Sequence, residues 1–145
     1  MTAGEMWAAF ADPNEITDGY EAWAFGSAPD ELATLVLAGT KTATASAFPL
    51  YEVDGEPLPR VGEYSVILDS AEQAVCIIRT NKVYVESFQN ISREHAFKEG
   101  EGDRSLEYWR AVHRECFSTW LAEAGLSFNE DMLVVCEEFE VVYRP

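Results

Sequence analysis

The stretch LAGTKTATAS, residues 37–46, places a lone lysine between a predicted helix and a run of small side chains. Lys41 is the first basic residue of the chain, and seven carboxylates precede it. The preceding pattern SAPDELATLVLAG predicts a helix with Ser27 as its N-cap, an apolar stripe on one face and Gly39 as its end. We therefore expect Lys41 in the turn that follows a helix C-terminus.

The residues beyond this turn are rich in short strands. YSVILD (64–69), AVCIIRT (74–80) and KVYVESF (82–88) are β-branched or aromatic runs with turn residues between them. The last run, MLVVCEEFEVVY (132–143), predicts a long closing strand. Several short strands with a returning terminal strand indicate a small barrel.

Helical spacing marks the N-terminus and the segment before the closing strand. Two aromatic groups, around Trp7 and Trp23, predict a helical N-terminal piece with a polar turn between them. Ser92 is expected to cap a short helix, REHAFKE, and SLEYWRAVHRECFSTWLAEAG (105–125) repeats apolar residues at helical spacing. The fold class is therefore predicted to be α+β, a small mixed β-barrel with flanking helices.

Size and composition indicate a single domain over residues 1–145. A chain of 145 residues with 48% hydrophobic content can close one substantial core. The three cysteines are odd in number and lie among apolar neighbours, as reduced core thiols do. No apolar run approaches the roughly 20 residues that span a bilayer, and no signal peptide is evident. We expect a soluble cytoplasmic protein without a membrane partner.

The net charge of −16 opposes binding to long nucleic acids, because that binding depends on Lys and Arg that displace counterions. Residues 41–114 nevertheless contain nine of the ten Lys and Arg and only twelve of the 26 acidic residues. A small anionic ligand at this segment is easier to reconcile with the charge than a long duplex. The expected partners are a nucleoside, a nucleotide or short single-stranded RNA, and no long duplex DNA.

The motif around Lys41 resembles the signature of the ASCH domain, a small β-barrel related to the PUA fold and associated with RNA and modified nucleosides. The likeness extends to PLPRVGEYSVILD (57–69), to EHAFKEGEGDRSLEYWRAVHRECF (94–117) and to the final FEVVY (139–143). It covers about residues 6–143, and the GEGDRSLEYW segment resembles one bacterial subgroup. The resemblance implies a PUA-like mixed barrel.

The resemblance also implies candidate catalytic residues. Some bacterial ASCH proteins are amidohydrolases that remove the acetyl group from 4-acetylcytidine with a Lys, a Thr and a Glu, and another is a ribonuclease. Carried over by position, these residues are Lys41, Thr44 and Glu99, with Glu101 as the rival carboxylate. Ser46 stands where the family motif often has an arginine, and this departure weakens the transfer of the family's substrate specificity.

These residue types suit amide hydrolysis, which needs a nucleophile and a base that takes its proton. The Thr44 hydroxyl is the candidate nucleophile, and Lys41 with a carboxylate would exchange protons as a unit. In a regular strand the two side chains face opposite sides, so they converge only if Lys41 belongs to the turn or a bulge intervenes. The alternative is that Lys41 caps the carbonyls of the helix that ends near Ala38.

Other residues are candidates for ligand binding, each with a structural alternative. Arginines suit phosphates or carbonyls, aromatic rings can stack on a base, and the glycine-broken acidic loop around residue 101 lets backbone approach a ligand. The candidates are Gly39, Thr42, Ser46, Arg79, Tyr84, Asp103, Arg104, Ser105 and Trp109. The alternatives are ion pairs for the arginines, a core position for Trp109 and helix capping for Asp103 or Ser105.

The histidines and metal ligands give weaker signals. His113 on the apolar stripe is expected to be a hydrogen-bonded core residue, and His95 at i, i+4 from Glu99 is either its ion-pair partner or a surface residue. Glu99, Glu101 and Asp103 present carboxylates that could read base amino groups or hold a divalent ion. No adjacent histidine pair or regular EF-hand spacing supports a dedicated metal site, so no metal and no cofactor are expected. Three functions stay open: a small amidohydrolase on a modified pyrimidine nucleoside, a non-catalytic RNA-binding module and a ribonuclease.

Overall fold

The computed structural model describes residues 1–145, which form five strands and five α-helices. The first half of the chain contains α1 (Ala3–Ala11), β1 (Tyr20–Ala24), α2 (Pro29–Leu37), β2 (Ala43–Ala47) and α3 (Phe48–Asp54). The second half contains β3 (Tyr64–Leu68), β4 (Ala74–Ser87), α4 (Arg93–Glu99), α5 (Leu106–Glu123) and β5 (Leu133–Tyr143). A short 3₁₀ turn, Phe88–Asn90, follows β4.

All five strands join one curled sheet in the order β1-β3-β4-β5-β2. The β1–β3 pair is parallel and every other pair is antiparallel, so the sheet is mixed. The predicted α+β class with a small mixed barrel and flanking helices is confirmed, with the sheet forming a half-barrel. β5 lies between β4 and β2, which brings the closing strand beside the Lys41 motif.

Three apolar clusters hold the helices against this sheet. Met6 and Phe10 of α1 pack on β3 and β4, while Val36 of α2 packs with Ile67. Phe117 of α5 belongs to the third cluster, which also contains residues of β5 and α4. Burying such side chains contributes roughly 1.5–3 kcal/mol each, which fixes α2, α4 and α5 around one end of β2.

The N-terminal region departs from the sequence prediction. Residues 20–24 are the strand β1 rather than a continued helix, and four of its five side chains are exposed, so the alternation typical of a half-buried strand is missing. Ser27 is not the cap of α2, because Ala28 occupies the N-cap position and makes no side-chain hydrogen bond. Pro29 at the first turn starts this helix instead.

Two further elements differ from the prediction. The segments 74–80 and 82–88 form one continuous strand, β4, with a register shift against β5 between Thr80 and Lys82. The helix α3 was not predicted, since its seven residues contain no buried side chain and show no apolar stripe. None of the helices combines the length and the apolar character needed to cross a membrane.

Candidate functional site

Lys41 lies in the turn between α2 and β2, as convergence with Thr44 requires. Gly39 adopts φ +77°, a left-handed conformation that ends the helix without a Cβ penalty. The backbone amides of Thr40 and Lys41 then both donate to the Leu35 carbonyl, at 3.0 and 3.1 Å. β2 begins at Ala43, so the strict alternation of a strand does not separate Lys41 from Thr44.

Lys41 is 2% exposed, and its side chain makes three hydrogen bonds. Its Nζ donates to Glu99 Oε1 at 3.3 Å, to Glu101 Oε2 at 3.3 Å and to the Glu99 carbonyl at 3.4 Å. The carbonyl belongs to the end of α4, not of α2, so the interpretation of Lys41 as a cap of the preceding helix is wrong. An ammonium group has three donors, and all three are used here.

Glu99 is a buried carboxylate surrounded by donors. Trp109 Nε1 and His95 Nε2 approach its Oε2 at 2.5 and 2.6 Å, and His113 Nε2 lies 3.5 Å from Oε1 on the Lys41 side. Burial by itself would raise the pKa of Glu99, but Lys41, His113 and the hydrogen bonds together lower it well below the usual value. Glu99 is therefore ionised at neutral pH.

The two histidines take different roles around this carboxylate. Tyr84 Oη lies 3.3 Å from His95 Nδ1, so His95 can accept there and donate from Nε2 to Glu99. His113 Nδ1 donates to the Trp109 carbonyl at 2.8 Å, which leaves Nε2 toward Glu99. Burial lowers the pKa of His113, but Glu99, the Trp109 carbonyl and Glu101 together raise it by more, so the net shift is upward. His113 is thus a core residue, as expected, and also a partner of the site.

The loop after α4 holds this cluster in place. A Cβ on Gly100 would lie 2.5 Å from the Thr40 carbonyl oxygen, so only glycine allows the two turns to meet. Arg104 donates to the carbonyls of Phe97 at 2.9 Å and Thr40 at 3.2 Å. Ser105 caps α5.

A cleft of about 620 Å³ adjoins the Lys41 cluster. Beside it lies a recess of about 50 Å³, which Lys41, Glu99, Glu101 and His113 line. Thr44 lines both cavities, which also share Phe25, Gly26 and Ala45. Lys41 and Thr44 therefore line the same recess, and the shared residues border both cavities.

The cleft is acidic. Its lining contains four carboxylates, Glu21, Glu56, Glu63 and Glu137, and no lysine, arginine or histidine. Burial raises the pKa of Glu137 to about 7, the Thr80 hydroxyl opposes this shift with a hydrogen bond, and Glu63 and Glu21 add to it. The charges at the cleft wall thus disfavour an anionic ligand.

The predicted ligand-binding residues fall in three places. Ser46 lines the cleft and its hydroxyl lies 2.8 Å from Tyr51 Oη. Arg79 lines a separate, open cavity of about 570 Å³ and stacks over the Tyr64 ring. The other predicted residues shape turns or contact groups within the protein, and they line neither the cleft nor the recess. They are Gly39, Thr42, Tyr84, Asp103, Arg104, Ser105 and Trp109.

The two aromatic residues predicted to stack on a base contact other side chains and do not line the cleft. Trp109 is 3% exposed, stacks on His113 at 4.1 Å and donates to Glu99. Tyr84 is half-buried against His95. The aromatic side chains that line the cleft are Trp23 and Tyr51, with Phe25 at its border with the recess.

One group of possible metal ligands coincides with this cluster. Ligand atoms of Glu99, Glu101 and His113 lie within 4.8 Å of one another. The Lys41 ammonium lies 3.3 Å from each of the two carboxylates and supplies the positive charge that a bound cation would. The donor set therefore fits an internal ion pair better than a dedicated metal site.

Sequence reasoning missed Glu137 and the part that His113 plays beside Glu99. Glu137 interrupts the apolar run MLVVCEEFEVVY, and a carboxylate within a strand expected to be buried was the available signal. Its relation to Thr44 depends on the pairing of β5 with β2, which the sequence does not reveal. β2 joins the sheet through this same pairing with β5, so the sequence did not predict β2 as a strand either.

Comparisons with known proteins agree with this architecture. The ASCH domain model matches residues 21–143. A crystal structure of protein EF3133 from Enterococcus faecalis, assigned to the family model DUF984, shares 38% identity and a TM-score of 0.89, covering 96% of this chain and 86% of that one. An ASCH domain from Lactobacillus crispatus shares 33% identity and a TM-score of 0.85, covering 97% and 96%.

A more distant structure shows the same fold alone. The hypothetical protein PH0355 has 17% identity and a TM-score of 0.58, with 86% of this chain and 100% of that chain covered. No curated protein matches the sequence significantly. These comparisons do not identify a substrate, so the substrate has to be inferred from the chemistry of the site.

Proposed function

The chain belongs to the ASCH domain family, which is linked to RNA, and we propose that it is an amidohydrolase acting on an N-acylated pyrimidine nucleoside such as 4-acetylcytidine. One observation carries the proposal: Thr44 lines both the cleft and the recess, and Lys41 lines the recess between two carboxylates. The nucleoside would occupy the cleft, and its acyl group would enter the recess beside Thr44.

The sizes of the two cavities suit these two parts of the ligand. Small-molecule sites typically enclose about 300–1,000 Å³, and the cleft encloses about 620 Å³. The recess, at about 50 Å³, has room for a group as small as an acetyl or a water molecule. The Thr44 hydroxyl makes no hydrogen bond within the protein, so it is available to a ligand that enters there.

The proposed reaction begins when the Thr44 oxygen attacks the acyl carbon. Lys41 first gives one proton to Glu101, which lies 3.3 Å away, and its neutral amine then takes the Thr44 hydroxyl proton. Lys41 delivers that proton to N4 as the bond between N4 and the acyl carbon breaks, and Glu101 returns its proton to Lys41. Water then hydrolyses the acyl ester on Thr44 and frees the hydroxyl for another cycle.

Glu99 is the less suitable carboxylate for proton transfer. Its donors lower its pKa and keep it ionised, whereas Glu101 is bonded to Lys41 alone and its side chain is 18% exposed. Glu99 would hold the Lys41 side chain at the recess and stabilise its positive charge. The sequence left both residues as candidates, and the geometry favours a positioning role for Glu99 and proton exchange for Glu101.

The charges around the site favour the hydrolase over the two alternatives. A ribonuclease or an RNA-binding module would bring phosphates close to the site, and the cleft presents four carboxylates and no cation. Lys41 has no donor left for a phosphate, since its three N–H groups bond to Glu99 and Glu101. An uncharged nucleoside meets neither obstacle.

The test is release of cytidine from 4-acetylcytidine by purified protein, followed by chromatography. Thr44→Val keeps the size of the side chain and removes the nucleophile, and we expect kcat to fall at least 100-fold with the fold unchanged. Lys41→Met should have a similar effect. Lys98→Met is the matched control, because Lys98 also pairs with two carboxylates but lines neither cavity.

The outcomes separate the three functions. Cytidine release that survives Thr44→Val would contradict the mechanism. Shortening of RNA without cytidine release would identify a ribonuclease. Binding of unchanged RNA with a steep loss of affinity in salt, again without release, would identify a recognition module.

A further inference from the structure

Glu137 faces the same cavity as the proposed nucleophile. It lies on β5 directly opposite Thr44 of β2 in the antiparallel ladder. Directly opposed residues project their side chains from the same face of a sheet, with Cβ atoms roughly 4.5–5.5 Å apart. Both residues line the cleft, so a ligand whose acyl group reaches Thr44 passes beside the Glu137 carboxyl group.

The Glu137 carboxyl group is only partly satisfied within the protein. Thr80 Oγ1 donates to its Oε1 at 3.4 Å, and its Oε2 has no hydrogen-bond partner. The other groups that face it are Glu21, from β1, Glu63, from the turn before β3, and Tyr51, from α3. None of these groups is cationic, so the carboxyl group can hold a proton near neutral pH and present it to a ligand.

We propose that Glu137 recognises the pyrimidine edge of the ligand by sharing one proton with ring nitrogen N3 while accepting a hydrogen bond from N4–H. This inference rests on the proposed function and adds to it the residue that selects the base. A neutral carboxyl group has one donor and one acceptor side by side. The N3 lone pair and the N4–H of cytidine are their complement, and acylation of N4 leaves one N4–H in place.

The proton makes recognition depend on pH. An ionised Glu137 offers two acceptors, and one of them would face the N3 lone pair without a proton between them. Binding above the pKa of Glu137, about 7, therefore requires the uptake of one proton. Affinity then falls about tenfold for each pH unit above that value. Glutamine at this position supplies N–H and C=O permanently.

The experiment measures the Kd of cytidine by calorimetry between pH 6 and pH 9, and the Michaelis constant for the acetylated nucleoside over the same range. We expect both constants to rise about tenfold per pH unit above pH 7 in the natural protein. Glu137→Gln should remove the pH dependence and keep the Kd at pH 6 within about threefold. Glu140→Gln, an exposed neighbour on β5 that lines neither the cleft nor the recess, should follow the natural protein.

A second probe tests the contact to N3. 3-Deazacytidine has a C–H in place of N3, and we expect its Kd at pH 6 to be at least tenfold higher than that of cytidine. Turnover in which neither the Kd nor the Michaelis constant depends on pH, or a pH dependence that persists in Glu137→Gln, would overturn this inference and leave the proposed hydrolase intact. Absence of both cytidine binding and cytidine release at every pH would overturn both.

Discussion

Replacing Glu137 with glutamine should make the protein more stable, and increasingly so as the pH rises. Burial raises the pKa of this carboxyl group from 4.5 to about 7. The native state therefore binds more protons than the unfolded state between these two values, and stability falls as the pH rises through that window. The loss is complete above about pH 7, where both states are ionised.

The size of the effect follows from the two pKa values. A separation of about 2.5 units at about 1.36 kcal/mol per unit gives a cost of about 3 kcal/mol at pH 8 for the buried carboxylate. Glutamine has no charge at any pH and can still accept from Thr80. The variant should thus gain up to about 3 kcal/mol at pH 8, about 2 kcal/mol at pH 6 and almost nothing at pH 4.

Urea unfolding followed by tryptophan fluorescence at pH 4, 6 and 8 measures these differences directly. Groups that do not interact with Glu137 contribute equally to both proteins, so the difference between the proteins reports Glu137 together with its coupling to Glu63 and Glu21. The exposed Glu140→Gln, as control, should stay within about 0.5 kcal/mol of the natural protein. A difference that does not change with pH, or a variant less stable than the natural protein at pH 8, would refute the assignment of a raised pKa.

Three further substitutions test the packing around Lys41. Gly100→Ala should lower the free energy of unfolding by at least about 2 kcal/mol, because its Cβ would meet a backbone oxygen at 2.5 Å. Gly125 has a similar φ and open space around it, so Gly125→Ala should cost only about 1 kcal/mol. Urea unfolding compares the two variants. Trp109→Phe removes the 2.5 Å hydrogen bond to Glu99 and should cost about 2 kcal/mol in the same assay. Lys41→Met should lower the free energy of unfolding by about 3 kcal/mol or more, because it leaves a buried carboxylate without its partner. Adding Glu99→Gln should recover part of that loss. A further loss of stability in the double variant would contradict this explanation.

The sequence predicted best the elements with a marked apolar pattern. The apolar residues of α5 recur at helical spacing, and β3 and β5 contain β-branched runs that are typical of strands. The prediction failed for β1 because β1 is an exposed edge strand. Its Tyr20 and Trp23 are three residues apart, a spacing that is also typical of one face of a helix. A local sequence pattern cannot distinguish a strand from a helix when few of the side chains are buried.

Some residues of the candidate site could be predicted from the sequence and others could not. Lys41, Thr44, Glu99 and Glu101 were found because they lie in a family motif, and the structure places all four at one recess. Glu137 is more than 90 residues away from Lys41 in sequence and reaches the site only through strand pairing. A single sequence contains no record of that register, since it depends on which strand β5 joins.

The position of Lys41 after a helix is explained by charge rather than by capping. Glu99 is buried and ionised, and a buried carboxylate without an opposite charge would be strongly unfavourable. Lys41 meets that need, and the raised pKa of His113 favours its protonated form beside the two carboxylates of the cluster. The cluster can therefore approach electrical neutrality inside a protein of net charge −16. Its lysine is held by internal carboxylates, so in the proposed reaction Lys41 serves an incoming ligand by proton exchange rather than as a free cation.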